Sequence, residues 1–212
     1  MANRFGYHAL QLGMPQVDAL QANRMPHRWL ALDAAAPSLP PPARLALHTD
    51  FAALPFAEGC LDLVVLPHTL ECNADPHATL REVARVLVPE GRVVLSGFNP
   101  LSLWGLRQLR SRWMGREPYL PDCPHALTYR RLHDWLQLLD LEVEFCYFGG
   151  YRPALRTQRW LGRLAWMDRL GQRWWPILGA VYLVVAVKRV HGMRLIRPGW
   201  KHQLVRAPGQ VV

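Results

Sequence analysis

Cysteine is scarce in this sequence: Cys60, Cys72, Cys123 and Cys146 are the four in 212 residues, and none stands in a C-x-x-C pair. That excludes a disulfide scaffold and the common zinc signatures, and suits a reducing compartment. Long apolar runs are missing too. The longest, residues 177–187, falls well short of the roughly 20 residues that cross a bilayer as a helix, and the start Met1-Ala2-Asn3-Arg4 has no apolar leader core. The chain therefore reads as soluble and cytoplasmic, with no transmembrane segment. Charged residues make up only 19% and apolar ones 50%, so a sizeable core is available, and disordered, collagen-like and coiled-coil chains are excluded. One domain over 1–212 is the expectation at this length, with no internal repeat.

Acids are short in the second half. Residues 1–100 carry 7 Arg and 9 acids, net −2, whereas residues 101–212 carry 18 Lys plus Arg and 7 acids, net +11, together the chain's +9. A basic half next to an acidic one points to an anionic neighbour for residues 101–212: nucleic acid, lipid headgroups or an acidic substrate. A solvated arginine-biased surface is the plainer reading.

Residues 7–12, 27–33, 44–50 and 61–66 read as strands, the last continuously apolar as in a strand covered on both faces. Asp75-Pro76 is an N-cap with proline at the first helical position; Leu80, Val83, Ala84 and Leu87 follow at helical spacing, and Pro89 with Gly91 ends the helix. Residues 92–98 make another buried strand. The strand–helix–strand order predicts a layered α/β domain with a parallel sheet. Residues 101–114 and 128–139 read as helices, 141–148 and 179–187 as strands, and 152 to about 173 as a basic helix. The prolines at 37, 40, 41 and 42 mark a short surface loop.

In an open parallel sheet the ligand lies beyond the carboxyl ends of the strands. Here those ends carry Gly13, Asp33, Asp50 and Pro67-His68. A glycine turn with two separated carboxylates suits a nucleoside-bearing ligand: one acid accepts from ribose hydroxyls and the next from an exocyclic amine. At each position a turn or helix cap is the competing explanation.

Three segments, Asp50-Phe51-Ala52-Ala53-Leu54-Pro55-Phe56, Leu61-Asp62-Leu63-Val64-Val65 and Leu80-Arg81-Glu82-Val83-Ala84-Arg85-Val86-Leu87-Val88-Pro89-Glu90-Gly91-Arg92, resemble class I S-adenosylmethionine-dependent methyltransferases of the type 11 branch. The resemblance covers about residues 44–98. It implies a Rossmann-like fold with a mostly parallel seven-stranded sheet and an antiparallel C-terminal strand. It implies S-adenosylmethionine as cofactor, with Asp50 and the Phe51 backbone on the adenine, Asp33 on the ribose, Gly13 beside the methionine part and Leu66 among the binding residues. The sequence departs from the family in its first turn, Leu12-Gly13-Met14-Pro15-Gln16-Val17, which keeps one of three usual glycines, with Gln11 where an acid is common. The link after Asp33 is too short and proline-rich for the usual helix, and no helix precedes the first strand. Both departures open the pocket, and a functional form with further upstream residues is a third reading.

Methyl transfer is an in-line displacement, for which the protein positions the acceptor and supplies a base where needed. His68 is the candidate base, with Glu71 one turn on as either its orienter or a solvated acid. Asn99 is a candidate for a polar acceptor, and Trp104 and Tyr151 for the acceptor side. The acceptor is a small molecule or RNA of unassigned identity, and the oligomeric state is unassigned too. Arg152, Arg156, Arg159 and Arg163 form one stripe of the basic helix, fit for lipid headgroups or RNA phosphates, or simply for water. The alternative to an enzyme is a noncatalytic methyltransferase-like scaffold that binds nucleic acid or an anionic membrane through its basic half.

Overall fold

The computed structural model describes residues 6–33, 45–115, 126–153, 163–164 and 166–189. Seven strands make one sheet: β1 (His8–Leu12), β2 (His27–Asp33), β3 (Leu45–Thr49), β4 (Leu61–Pro67), β5 (Leu87–Phe98), β6 (Leu141–Gly149) and β7 (Val181–Lys188). Their order is β3-β2-β1-β4-β5-β7-β6. Strands β1 to β5 pair in parallel, and β7 enters antiparallel between β5 and β6, with Phe98 and Gly149 both opposite Val181. This is a Rossmann-like, mostly parallel sheet with an antiparallel C-terminal strand, and both charge halves contribute strands to it.

Helix α1 (Thr69–Cys72) is a single turn after β4, and α2 (Pro76–Val86) follows it. Asp75 caps α2 by accepting the Ala78 N–H at 2.9 Å, with Pro76 at the first turn, as the sequence predicts. The helix ends at Val86 because Leu87 is already extended and pairs with Leu61, so β5 begins five residues before the predicted Arg92. Lys188 from β7 donates to the carbonyls of Ala84 and Leu87 and closes that helix end. Helices α3 (Leu103–Trp113) and α4 (Tyr129–Leu138) follow β5; α5 (Trp166–Trp174) and a 3₁₀ turn (Pro176–Leu178) precede β7. Most of the predicted basic helix, Arg156 and Arg159 included, lies outside the described residues.

The two sheet faces are covered unequally. Leu80 and Val83 of α2 and Leu132 and Leu136 of α4 pack with Leu10, Leu12, Leu66 and Tyr182 in the larger core. On the other face a smaller core of Ala9, Leu63, Val65 and Val94 is covered by Leu20 and Met25 of the β1–β2 link. That link has no helix, and neither has the β3–β4 link, so both parallel crossovers are loops. The side chain of Gln11 organises the first. Its amide nitrogen donates to the carbonyls of Gly13, Met14 and Val17 at 2.7–3.2 Å, and its oxygen accepts the Ala19 N–H.

The β3–β4 loop is held by α2. Glu82 accepts the Leu54 N–H and pairs with Arg85 at 2.8 Å; Arg85 donates in turn to the Phe56 and Leu54 carbonyls. This clamp is why Leu54-Pro55-Phe56 and Leu80–Leu87 belong to one motif: the helix residues are the hydrogen-bond partners of the loop backbone. The Arg85 hydrogen bonds hold the Glu82 carboxyl below its ordinary range against the opposing effect of burial. Its stabilisation is therefore complete above the ordinary carboxylate range and drains away as the pH falls through the lowered folded value. Glu82→Ala is expected to cost roughly 1–3 kcal/mol at neutral pH, read as a lower urea midpoint, with the gap to wild type closing in acid.

Candidate functional site

At the carboxyl ends of β1, β2 and β4 lies a hollow of about 180 Å³, walled by Gly13, Met14, Pro15, Leu32, Asp33, Phe51, His68, Thr69, Cys72 and Asn73. Gly13 turns the chain with φ +71°, and its N–H donates to the Ala31 carbonyl at 2.8 Å, which ties the ends of β1 and β2. A Cβ there would stand 3.2 Å from the Thr69 hydroxyl oxygen. That hydroxyl donates to the Leu12 carbonyl at 2.5 Å. The floor is therefore bare backbone because the turn demands a glycine. Among the described residues Cys60 and Cys146 are free thiols.

His68 also has a left-handed backbone, φ +52°, where β4 ends and α1 starts. Its N–H donates to the carbonyl and hydroxyl of Ser96, and its ring lies 4.4 Å from that of Phe98. Behind it Glu71 is 1% exposed, which decides the sequence alternative against a solvated acid. One Glu71 oxygen accepts the Phe98 N–H, and the other is 3.5 Å from His68 Nδ1. Both of these last atoms are buried without another hydrogen-bond partner, so each is the partner the other lacks. Tyr182 lies in the same core, its phenol pushed up by burial and by the charge of Glu71. Gly97 lets these groups converge: a Cβ there would meet the Tyr182 phenol and, at 2.7 Å, a Glu71 oxygen.

Of the sequence candidates, the hollow gathers Gly13, Asp33, Phe51 and His68. Others lie elsewhere. Asp50 is exposed and accepts the Ala52 N–H at 2.9 Å, shaping its own loop rather than the hollow wall. Leu66 is fully buried in the larger core, because a strand end covered on both faces turns it inward. Asn99 is a structural tie: its amide donates to the Ile177 and Gly179 carbonyls, and its oxygen accepts the Leu101 N–H, leaving no N–H for an acceptor. Tyr151 is 6% exposed, with its hydroxyl on the Phe148 carbonyl, so it does not face an acceptor. Trp104 is half-buried and donates its indole N–H to the Arg152 carbonyl at 2.6 Å. Arg152 itself pairs with Asp168. Glu71 was readable as a partner of His68 from its i+3 spacing; its burial was not.

A methyltransferase-domain family model matches residues 17–95, the span holding the clamp, the β4 end and most of the hollow. The uncharacterised protein YafS of Escherichia coli is 33% identical over 189 residues, covering 87% of this chain and 70% of that protein. An uncharacterised methyltransferase of Mycolicibacterium gilvum is 30% identical over 178 residues, 84% of this chain and 58% of its own length. Residues 17–95 thus carry a methyltransferase domain, and the relatives of the chain include methyltransferases. An S-adenosylmethionine-dependent methyltransferase of Thermotoga maritima, a possible histamine N-methyltransferase, has the same fold. Its TM-score is 0.61 at 11% identity over 89% of this chain and 85% of that one. Pro15 and Val17, the positions at which the sequence departs from the expected glycine turn, lie in a turn that Gln11 secures through the backbone.

The donor set fits the adenosyl part of the family's cofactor. Asp33 offers a carboxylate for a diol, Phe51 and Leu32 offer apolar walls, and the Gly13 turn gives a floor without side chain. At about 180 Å³ the hollow is smaller than the roughly 300–1,000 Å³ of pockets that enclose a drug-sized ligand. A ligand seated here would keep part of itself outside. Gly13→Ala is expected to destabilise the chain by about 1–2 kcal/mol, from the left-handed backbone and the Thr69 contact. Equilibrium unfolding in urea measures it, and an unchanged midpoint would contradict the turn as described.

Proposed function

We propose that this protein transfers the methyl group of S-adenosylmethionine to an acceptor that enters over His68. The observation that carries the reading is a histidine backed by a buried carboxylate on the wall of the same hollow that Gly13 and Asp33 line. Gly13, Asp33 and Phe51 hold the adenosyl group. The bound cofactor supplies an electrophilic methyl on a sulfonium. His68 takes the proton from an acceptor N–H or O–H through Nε2, since Nδ1 is turned to Glu71. Glu71 orients the ring and stabilises the imidazolium, and its hold on the Phe98 N–H keeps the carboxylate in place. Asn99 acts as a positioning residue for the loop before β7.

Calorimetry with S-adenosylmethionine and S-adenosylhomocysteine tests the cofactor assignment. Both should bind, and Asp33→Ala should weaken binding by about 10-fold or more, a loss of the size expected for hydrogen bonds to a charged group. No heat at millimolar ligand would leave the noncatalytic scaffold. His68→Ala should keep cofactor binding while lowering the transfer of labelled methyl into extracted acceptors by about 10²-fold or more. Loss of binding together with transfer would move His68 from the base to the cofactor wall.

A further inference from the structure

Two helices along the site edge of the sheet turn their apolar sides outward. In α3, Leu103, Leu106, Leu109 and Trp113 are exposed, the last by 93%, together with neighbouring Leu101 and Met114. At 100° per residue the four side chains of α3 fall within an arc of roughly 120°. Trp104, Gln108 and Ser111, on the other side, are the half-buried ones. The helix is thus set against the usual rule: two polar side chains face the protein and the leucines face out. In α5, Trp166, Leu170 and Trp174 recur at i, i+4 and i+8, all exposed, and Trp175, Ile177 and Leu178 continue the stripe.

The two segments are fastened to each other. Asn99, just before α3, binds the Ile177 and Gly179 carbonyls; Trp104 binds the Arg152 carbonyl; Arg152 pairs with Asp168 of α5. All three ties lie at the ends of β5, β6 and β7, the sheet edge that also carries His68 and the hollow. Exposed arginines stand within or beside the apolar stripes: Arg107 and Arg110 on α3, Arg169 and Arg173 on α5. Residues 101–115 contain no acid, and the single acid of 163–178, Asp168, is turned inward to the Tyr151 N–H and Arg152.

We propose that this face, formed by α3, α5 and the Pro176–Leu178 turn, docks on an anionic phospholipid bilayer. Tryptophan and leucine side chains flanked by arginine match the headgroup–acyl boundary: the rings and aliphatic chains enter the apolar layer and the guanidinium groups reach the phosphates. A second copy of the chain fits worse, because an isologous contact would set the basic stripes of one copy against the same basic stripes of the other. Single-stranded RNA would use the tryptophans and arginines but leave Leu103, Leu106, Leu109, Ile177 and Leu178 without a role. Docking in this pose presents the hollow's edge to the headgroup layer. The inference stands on the surface alone and does not need methyl transfer.

Flotation of the full chain with vesicles, without cofactor, tests it. Phosphatidylcholine vesicles with about 30% phosphatidylglycerol should bind the chain about 10-fold or more tightly than phosphatidylcholine alone, and salt at about 0.5 M should weaken that binding. Brominated lipid should quench the wild-type tryptophan fluorescence, a readout that requires no variant. Leu106→Ser combined with Trp113→Ser, and Arg107→Gln combined with Arg110→Gln, should each lose about 10-fold or more. Leu138→Ser, an exposed leucine of α4 away from the face, should change nothing. Equal binding to neutral and anionic vesicles, absence of quenching, or α3 variants that bind like wild type would each overturn the proposal. Salt-sensitive RNA binding without vesicle binding would overturn it in favour of nucleic acid, and concentration-dependent dimerisation lost in the α3 variants would do so in favour of a second copy.

Discussion

The carboxylate of Glu71 joins the two central strand ends. It leaves the single turn after β4, passes over Gly97 and accepts the Phe98 N–H at the end of β5, while its second oxygen faces His68. Burying an ion is costly unless its oxygens are satisfied, so this acid constrains everything around it. Gly97 must lack a side chain, His68 must present Nδ1, and the Tyr182 phenol stays protonated, held there by burial and by the adjacent negative charge. The left-handed backbone of His68 belongs to the same constraint, because it starts the turn that brings Glu71 back beneath the ring. A site wall and a packing constraint are here one group of atoms.

The amino-terminal half joins β1 to β2 and β3 to β4 by loops without helix. Side-chain hydrogen bonding holds them: the Gln11 amide shares its two N–H groups among three carbonyls and accepts one N–H of the first link, and Glu82 with Arg85 binds the backbone of the loop that carries Phe51. The first of these links covers the smaller core through Leu20 and Met25, while the second packs Phe51 and Leu54 into the larger one. The carboxyl-terminal half is built differently. Its two exposed helices are placed through backbone carbonyls held by Asn99 and Trp104, which leaves their apolar faces free of the core.

Much of this was legible in the chain. The strands 27–33 and 61–66, the Asp75-Pro76 helix start and the strand–helix order follow from apolar period and turn chemistry, which act over a few residues and survive any tertiary arrangement. That Asp33 and Gly13 line one hollow was readable, because a parallel sheet places its carboxyl ends together. Asp50, Leu66, Asn99 and Tyr151 were read from position as well and lie elsewhere. A residue at a strand end has two directions to point, and its partners choose between them: the nearby Ala52 N–H for Asp50 and Phe148 carbonyl for Tyr151, the core for Leu66, and the distant 177 and 179 carbonyls for Asn99.

The sequence by itself determined the order of elements, the family motifs and the charge asymmetry, since these rest on local spacing and composition. Only the tertiary structure decided that Glu71 is buried against His68 and that α3 shows its leucines to the outside. The reason is physical: burial and hydrogen bonding are properties of what comes to lie beside a residue, and for Glu71 and Phe98, or Asn99 and Ile177, the partners are 27 and 78 positions apart in the chain.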